Sequence, residues 1–287
     1  MSYTTAKMDK FVADTIKEVL TNGVKSEGGR PVYKSDGGQA ESYYITDVFV
    51  KFDLSKGELP ITSLRPIYTS LAMQETLWLY QDQTSDLKPL RERGVQYWND
   101  WEMDDGTIGQ RYGATVKKYN IIDRLLESLE KNPYNRRNII NLWQYEDLDM
   151  PAPLPPCAFQ VLFDARKVNG EMYLDVSLTQ RSSDFIVAGV GINQIQYVAL
   201  QMMVAKHFGW KVGTFSWHVM NLHIYDRHIN NAKILLERYN TNTFDPSSIE
   251  FYLDVPDGTN FYDIKAEDFK MKGYKATSPQ LEFDMAL

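Results

Sequence analysis

The sequence predicts a mixed α/β (α+β) fold in one domain spanning residues 1–287. Apolar residues recur at helical spacing in 7–22, 121–133 and 192–208. Strand-like runs fill 42–53, 158–166, 171–180 and 215–225. The third observation is negative: no internal repeat or low-complexity tract divides the chain, and the proline-rich stretch 150–156 is too short and apolar for a linker.

Taken in order, 7–22 is a helix stopped by Asn22-Gly23. Residues 26–40, rich in Gly and polar groups, read as an exposed loop before the strand 42–53. Residues 66–81 are apolar and long enough for a buried helix begun by Pro66. The amphipathic run 121–133 ends at Asn132-Pro133, and 138–145 reads as strand. Val168-Asn169-Gly170 marks a hairpin between two strands. The helix 192–208, the strand 215–225 and a helix over 226–239 follow. Beyond 240 the sequence predicts short strands among Pro and Asp clusters.

With 43% hydrophobic residues the chain can bury a sizeable core. Lys and Arg number 31 against 38 Asp and Glu, a formal charge of −7, which disfavours general nucleic-acid binding. A local Arg cluster can still hold a small anion. One cysteine excludes an intrachain disulfide and fits a reducing compartment. No signal-like N-terminus or membrane-length apolar run is present, so a cytoplasmic protein with no membrane contact is expected.

Five constellations carry candidate chemistry. Cys157 in LPPCAF is either a buried inert thiol or a nucleophile, and the second needs cations nearby to favour thiolate. Arg136-Arg137 is a solvated turn or a fork for phosphate. In Gln180-Arg181-Ser182-Ser183-Asp184, Arg181 and Ser182 suit a phosphate and Asp184 suits a ring nitrogen, unless these groups merely satisfy loop amides. His223 and Tyr225 alternate on a strand and point the same way, fit for a sugar hydroxyl or for a half-buried face. Glu75 lies in an apolar run; if buried, its pKa rises and suits proton transfer near neutrality. Four His and one Cys make a structural zinc site improbable, and no metal is expected. Neither GxGxxG nor GxxxxGK[ST] occurs, and GVGIN (189–193) has too few glycines at the wrong spacing.

These pieces, with ETLWLY (75–80), YWNDW (97–101), GTIGQRYG (106–113) and NPYNRR (132–137), occur in an order that resembles the thymidylate synthase family over nearly the whole chain. The insertion near 26–42 resembles a long variant known from bacilli and their phages. The resemblance implies a three-layer fold whose mixed sheet packs against its copy in a homodimer. It implies Cys157 as the nucleophile on the pyrimidine of dUMP, with 5,10-methylenetetrahydrofolate as co-substrate. Arg30, Arg181, Ser182 and, donated across the dimer, Arg136 and Arg137 resemble the phosphate clamp, which would also favour thiolate at Cys157. Asn193 resembles the amide that reads the uracil edge, with Gln180 beside it among the nucleotide contacts. His223 and Tyr225 resemble the ribose contacts. Glu75 and Tyr112 resemble the groups that organise proton transfer. Trp98, Trp101, Asp184, Gly189 and Ala286 in the MAL tail resemble the folate side.

Departures from the family pattern are expected to matter on that folate side. The loop 184–193 is one residue longer than usual, with Gly191 where Pro is typical. Arg65 stands for a Lys that meets folate glutamates, and Asn221 stands for an Asp. Ala158 follows the nucleophile in place of His, and the tail ends in Leu287 rather than Val or Ile. The resemblance implies methylation of dUMP to dTMP. The altered loop motivates the alternative, a hydroxymethylase in which water rather than hydride quenches the intermediate.

Overall fold

The computed structural model describes residues 2–241 and 248–287; the predicted Asp245-Pro246 cluster lies outside them. The N-terminal helix α1 (Ala6–Asn22) turns Val12, Ile16 and Val19 into the core, as its spacing predicts. A short β1 (Val24–Lys25) and the long β2 (Ser42–Asp53) follow. Helices α2 (Thr69–Leu77), α3 (Lys88–Glu92), α4 (Gly113–Lys118) and α5 (Ile121–Lys131) lead to β3 (Ile139–Asn141) and α6 (Tyr145–Leu148). The hairpin of β4 (Ala158–Val168) and β5 (Glu171–Asp184) turns on Asn169 and Gly170, both at positive φ, as a tight hairpin turn requires. The helix α7 (Ile192–His207) crosses to β6 (Lys211–Tyr225), then α8 (Ile229–Thr241), β7 (Glu250–Leu253) and β8 (Phe269–Lys272) close the order.

Six strands form one mixed sheet in the order β1-β2-β6-β5-β4-β3. Its neighbours are antiparallel except β5 and β6, which run parallel and place Ser182 opposite Asn221 and Asp184 opposite His223. One face of the sheet is core: Leu178, Trp217, Phe215 and Val176 pack beneath α7, which is buried along most of its length. The other face exposes Phe49, Met220, Leu162 and Ile139. Pairing of Ile139 with Leu162 and of Phe49 with His218 puts these side chains on that common face.

Three predicted elements differ from the structure. The helix expected over 66–81 begins at Thr69, because the Pro66 carbonyl accepts from Gln280 Nε2 at 2.8 Å and Arg65 Nη1 at 3.3 Å and the chain enters the helix only afterwards. It ends by widening into a π turn over Trp78–Asp82. The strand expected over 138–145 is confined to Ile139–Asn141, since the Asn141 side chain accepts the Trp143 amide at 2.9 Å and turns the chain toward α6. The short helices α3 and α4 were not foreseen at all. The loop 26–40 is exposed for much of its length, yet Val32 and Tyr33 form bridges with Gln39 and Ala286.

Buried polar side chains fasten these layers. Asp9, on the core side of α1, accepts from Thr5 Oγ1 (2.8 Å), Thr62 Oγ1 (2.6 Å), Ser63 N–H (2.7 Å) and Ser63 Oγ (2.6 Å). Asp9→Ala leaves these donors unsatisfied. It is expected to cost about 3 kcal/mol and to lower the melting temperature by roughly 6 °C in calorimetry.

Candidate active site

The site forms where β5 and β6 end side by side and α7 begins. The β5 end lies against the segment that precedes β4, with the Arg181 amide donating to the Cys157 carbonyl at 3.0 Å. The Arg181 guanidinium donates to the carbonyls of Pro156 (3.0 Å) and Pro155 (2.9 Å), and its Nη2 lies 3.4 Å from Cys157 Sγ. The cation is thus held on the thiol by backbone. The Cys157 amide donates to the Tyr112 hydroxyl at 3.3 Å. Arg30, on the exposed 26–40 loop, is near enough to act on the same sulfur.

Burial pushes the Cys157 thiol above its usual pKa, and Arg181 and Arg30 offset that only in part. Both arginines thus act in the direction of thiolate, and desolvation of the sulfur outweighs them within the one chain. Arg136 and Arg137 lie in the exposed turn after α5, and among the described residues neither guanidinium has a hydrogen-bond or ion-pair partner. The structure does not bring them to Cys157 of the same chain.

Glu75 is 6% exposed, on the face of α2 that packs against α7. It accepts from Trp98 Nε1 at 3.0 Å and from the Tyr97 hydroxyl. Burial raises its pKa to about 7 against the pull of these donors. Asn193, in the first turn of α7, accepts from Gln180 Nε2 at 3.4 Å and donates to Gln196 Oε1 at 3.2 Å. Gln180 in turn accepts from Trp217 Nε1. His223 Nδ1 lies 2.9 Å from the acceptor Asn221 Oδ1, which leaves Nε2 as a lone-pair acceptor. Burial lowers the His223 pKa to about 4, so the ring is neutral at pH 7. Its centroid lies 4.9 Å from that of Tyr225, so the two share a face as predicted.

On the other side Trp98 packs edge-on against Tyr112 (5.0 Å) and Trp101 (5.6 Å), an aromatic wall. Asp184 Oδ1 is buried without a hydrogen-bond partner, and burial raises the Asp184 pKa to about 7. His228 Nδ1 lies 3.9 Å from the other oxygen, and an orphaned carboxylate oxygen suits an N–H group of a bound ligand. At Gly189 an added Cβ would come within 2.9 Å of Ser183 Oγ. Gly191 has φ +143°, which no proline can adopt, and a Cβ there would lie 3.1 Å from Ile61. Ala286 pairs with Tyr33, bringing the tail onto the 26–40 loop.

Arg65 departs from its expected role. It is 7% exposed and donates to the carbonyls of Ile186 (3.1 Å) and Val187, with its guanidinium 5.3 Å over the Phe283 ring. It is a strut between the 184–191 loop and the tail, turned away from solvent. Ser182 lines the β5 end, and among the described residues its hydroxyl has no hydrogen-bond partner. Sequence reading missed Tyr97 and Gln196. Tyr97 adjoins Trp98, and Gln196 is an uncharged polar residue buried one turn after Asn193 in an apolar helix, which is the signal that was there to find. Among the described residues no group of three or more His, Cys, Asp or Glu is placed to hold a metal ion, and no helix is long and apolar enough to cross a membrane.

Arg181→Ala is expected to push the thiol of Cys157 further up. The pH midpoint of its alkylation by iodoacetamide, followed by mass spectrometry, should then rise above the wild-type value. An unchanged midpoint would show that Arg181 does not act on the sulfur.

The sequence profile of the thymidylate synthase family matches residues 10–287. A thymidylate synthase of Streptococcus suis strain 05ZYH33 is 56% identical over 285 residues, covering 98% of this chain and 99% of that protein. One from Lactococcus lactis subsp. cremoris strain SK11 is 56% identical over 281 residues, covering 97% and 99%. The solved structure of thermostable thymidylate synthase A from Bacillus subtilis superposes with a TM-score of 0.86 at 32% identity, covering 97% of this chain and 99% of that one. The chain belongs to the thymidylate synthase family.

Proposed function

We propose that the protein methylates dUMP to dTMP, with 5,10-methylenetetrahydrofolate as co-substrate. The observation that carries this reading is Cys157 Sγ held 3.4 Å from Arg181 Nη2 beside the Asn193 amide. Sγ adds to C6 of the uracil ring, and the C5–C6 electron pair moves onto O4 as an enolate. C5 then bonds the one-carbon unit and loses its proton as the bond from that carbon to the folate nitrogen breaks; the exocyclic methylene so formed takes a hydride from the folate, which leaves as dihydrofolate, and the C6–S bond breaks to release the thiol. The folate supplies the carbon and then the hydride.

The chain's own groups bind, orient and move protons. Arg30, Arg181 and Ser182 take the phosphate, completed by Arg136 and Arg137 of a second copy. Neutral His223 and Tyr225 take the ribose hydroxyl. Asn193 offers one donor and one acceptor to the uracil edge. Glu75, with a pKa of about 7, and Tyr112, hydrogen-bonded to the Cys157 amide, organise proton transfer at O4 and C5. Trp98, Trp101, Asp184, Gly189 and Ala286 flank the folate, and the tail excludes water. The exposed apolar side chains on the outer sheet face suit a homodimer interface, which is the arrangement that would deliver the two arginines. A cytoplasmic protein acting without a metal is consistent with this chemistry.

The test is product mass after incubation with dUMP and methylenetetrahydrofolate, with dihydrofolate followed by absorbance. Equal amounts of dTMP and dihydrofolate support the reading, whereas a hydroxymethylated nucleotide without dihydrofolate means water has replaced hydride. Cys157→Ala is expected to abolish turnover while retaining dUMP binding.

Ionised Glu75 accepts from Trp98 Nε1 and the Tyr97 hydroxyl, and protonation withdraws that acceptor. The rate is therefore expected to fall as pH drops below about 7. Glu75→Gln should lower kcat by about 10³ and remove that acid limb. A limb that survives the substitution would place the titration on another group.

A further inference from the structure

His228 and Asp184 meet behind the cleft without a hydrogen bond between them. His228 is 1% exposed, and its Nδ1 lies 3.9 Å from Asp184 Oδ2, too far for such a bond. Among the described residues neither His228 Nδ1 nor Asp184 Oδ1 has a partner. The fold brings the two together: Asp184 ends β5 opposite His223 of β6, and the turn Asp226–His228 follows directly on β6. The second ring nitrogen settles the tautomer. His228 Nε2 lies 2.8 Å from the Asp284 carbonyl oxygen in the tail, which can only accept, so Nε2 carries a proton.

A neutral His228 ring is therefore bare at Nδ1 and turns a lone pair toward a carboxyl oxygen. Two buried acceptors face to face are unfavourable unless a proton stands between them. Burial acts in the same direction: it lowers the His228 pKa and raises that of Asp184 to about 7, which disfavours a lone charge on either group. The surrounding groups do not supply that proton. Arg65 and the Val187 amide act on Asp184, and Arg65 directs its hydrogen bonds to the carbonyls of Ile186 and Val187. Asp226 and Asp284 act on His228; the first accepts from the Tyr33 hydroxyl and the second from Ser35 and Arg227. The Tyr225 and Tyr33 rings stand 5.8 and 6.5 Å from the imidazole, and His223 beside them is neutral.

We propose that His228 is a positioning residue for the co-substrate: it shares one proton with Asp184, and passage of that proton from Asp184 Oδ2 to His228 Nδ1 couples the binding of an N–H donor at Asp184 to the hold on the tail at Asp284. This rests on the reading of Asp184 as a folate contact. The step balances with no outside reagent. Asp184 loses its O–H and becomes an acceptor for the ligand N–H, while His228 gains an N–H that points back at Oδ2. The imidazolium so formed also makes its Nε2–H bond to the Asp284 carbonyl charge-assisted, and therefore stronger. Loss of the shared proton at higher pH leaves a carboxylate facing a bare nitrogen and returns the tail bond to a neutral one. Co-substrate binding is thus linked to retention of one proton and weakens as pH rises. The apparent pKa belongs to the pair and not to either residue.

The experiment measures KM for methylenetetrahydrofolate and for dUMP from neutral to mildly alkaline pH, in the wild-type protein and in two variants, beside a melting curve for each. In the wild type the folate KM is expected to rise by about tenfold with pH, the effect of one charge-assisted hydrogen bond, while the dUMP KM stays level. His228→Gln keeps an N–H for the Asp284 carbonyl but cannot carry the shared proton. Its folate KM is expected to be about tenfold above wild type at neutral pH and flat from there upward. His228→Asn keeps a polar group beside Asp184, loses the reach to the tail, and is expected to be flat as well. A merely structural role for His228 would raise KM without changing the shape of the pH profile. A folate KM that does not rise with pH in the wild type overturns the inference, and so does an alkaline rise that survives in His228→Gln. If His228→Gln does not fold, His228→Asn decides in the same way. Wild-type protein with no turnover of dUMP and this folate overturns the reading of the site and the inference together. Turnover with a level folate KM overturns the inference only.

Discussion

Parallel pairing of β5 with β6 is the constraint on which the site depends. Two parallel neighbours cannot be joined by a tight turn, so the chain crosses over through α7. The crossover helix must start where β5 ends and finish where β6 starts. Its first turn therefore lies at the C-terminal ends of both strands, the place where open sheets with parallel strands bind ligands. Asn193, the Arg181–Asp184 strand end and the His223–Tyr225 strand end converge for that topological reason. An antiparallel neighbour would have put the start of β6 beside Asp184 and scattered the same residues over opposite edges of the sheet.

Desolvation then sets the chemistry of what converges. Burial raises the pKa of Cys157, Glu75 and Asp184 and lowers that of His223, so every one of these groups is biased toward its neutral form. The protein supplies fixed dipoles and a few well-held cations instead of a heavily charged cavity. Arg181 can serve there because two backbone carbonyls hold it in place independently of any ligand. A site of this kind is sensitive to a single added charge, and the bound nucleotide phosphate is such a charge.

Much of this was legible in the sequence, for a physical reason. Long elements with one buried face write their period into the chain, so α1, α5, α7 and the four long strands were readable, and the candidate residues were marked by their place at element ends. Short pieces carry no period. The five-residue α3 and six-residue α4 are set by tertiary contacts, and α6 follows a turn fixed by the Asn141 side chain on the Trp143 amide. Buried arginines were equally opaque. Arg65, Arg111 and Arg238 are all under a tenth exposed and spend their donors on loop carbonyls, Arg111 reaching Leu148 and Met150 and Arg238 reaching Leu64 and Pro279. Composition counts them as surface charge.

The tail and the 26–40 loop are joined by contacts that span almost the whole chain. Ser35 donates to Asp284 across 249 residues, and Arg227 bridges Asp36 and Asp284 while covering the Tyr33 ring at 3.9 Å. Closing so large a loop has an entropic cost, and the contacts that do it are exposed ion pairs of small worth and a single bridge, Tyr33–Ala286, with backbone hydrogen bonds that tie Val32 to Leu287 and Lys34 to Met285. Such a unit opens locally long before the core does. Because Arg30 lies on one half of it and Ala286 on the other, these two residues gain and lose order as one cooperative piece. A substitution at Arg227 would therefore act at a distance on Arg30 and Ala286 alike while touching neither.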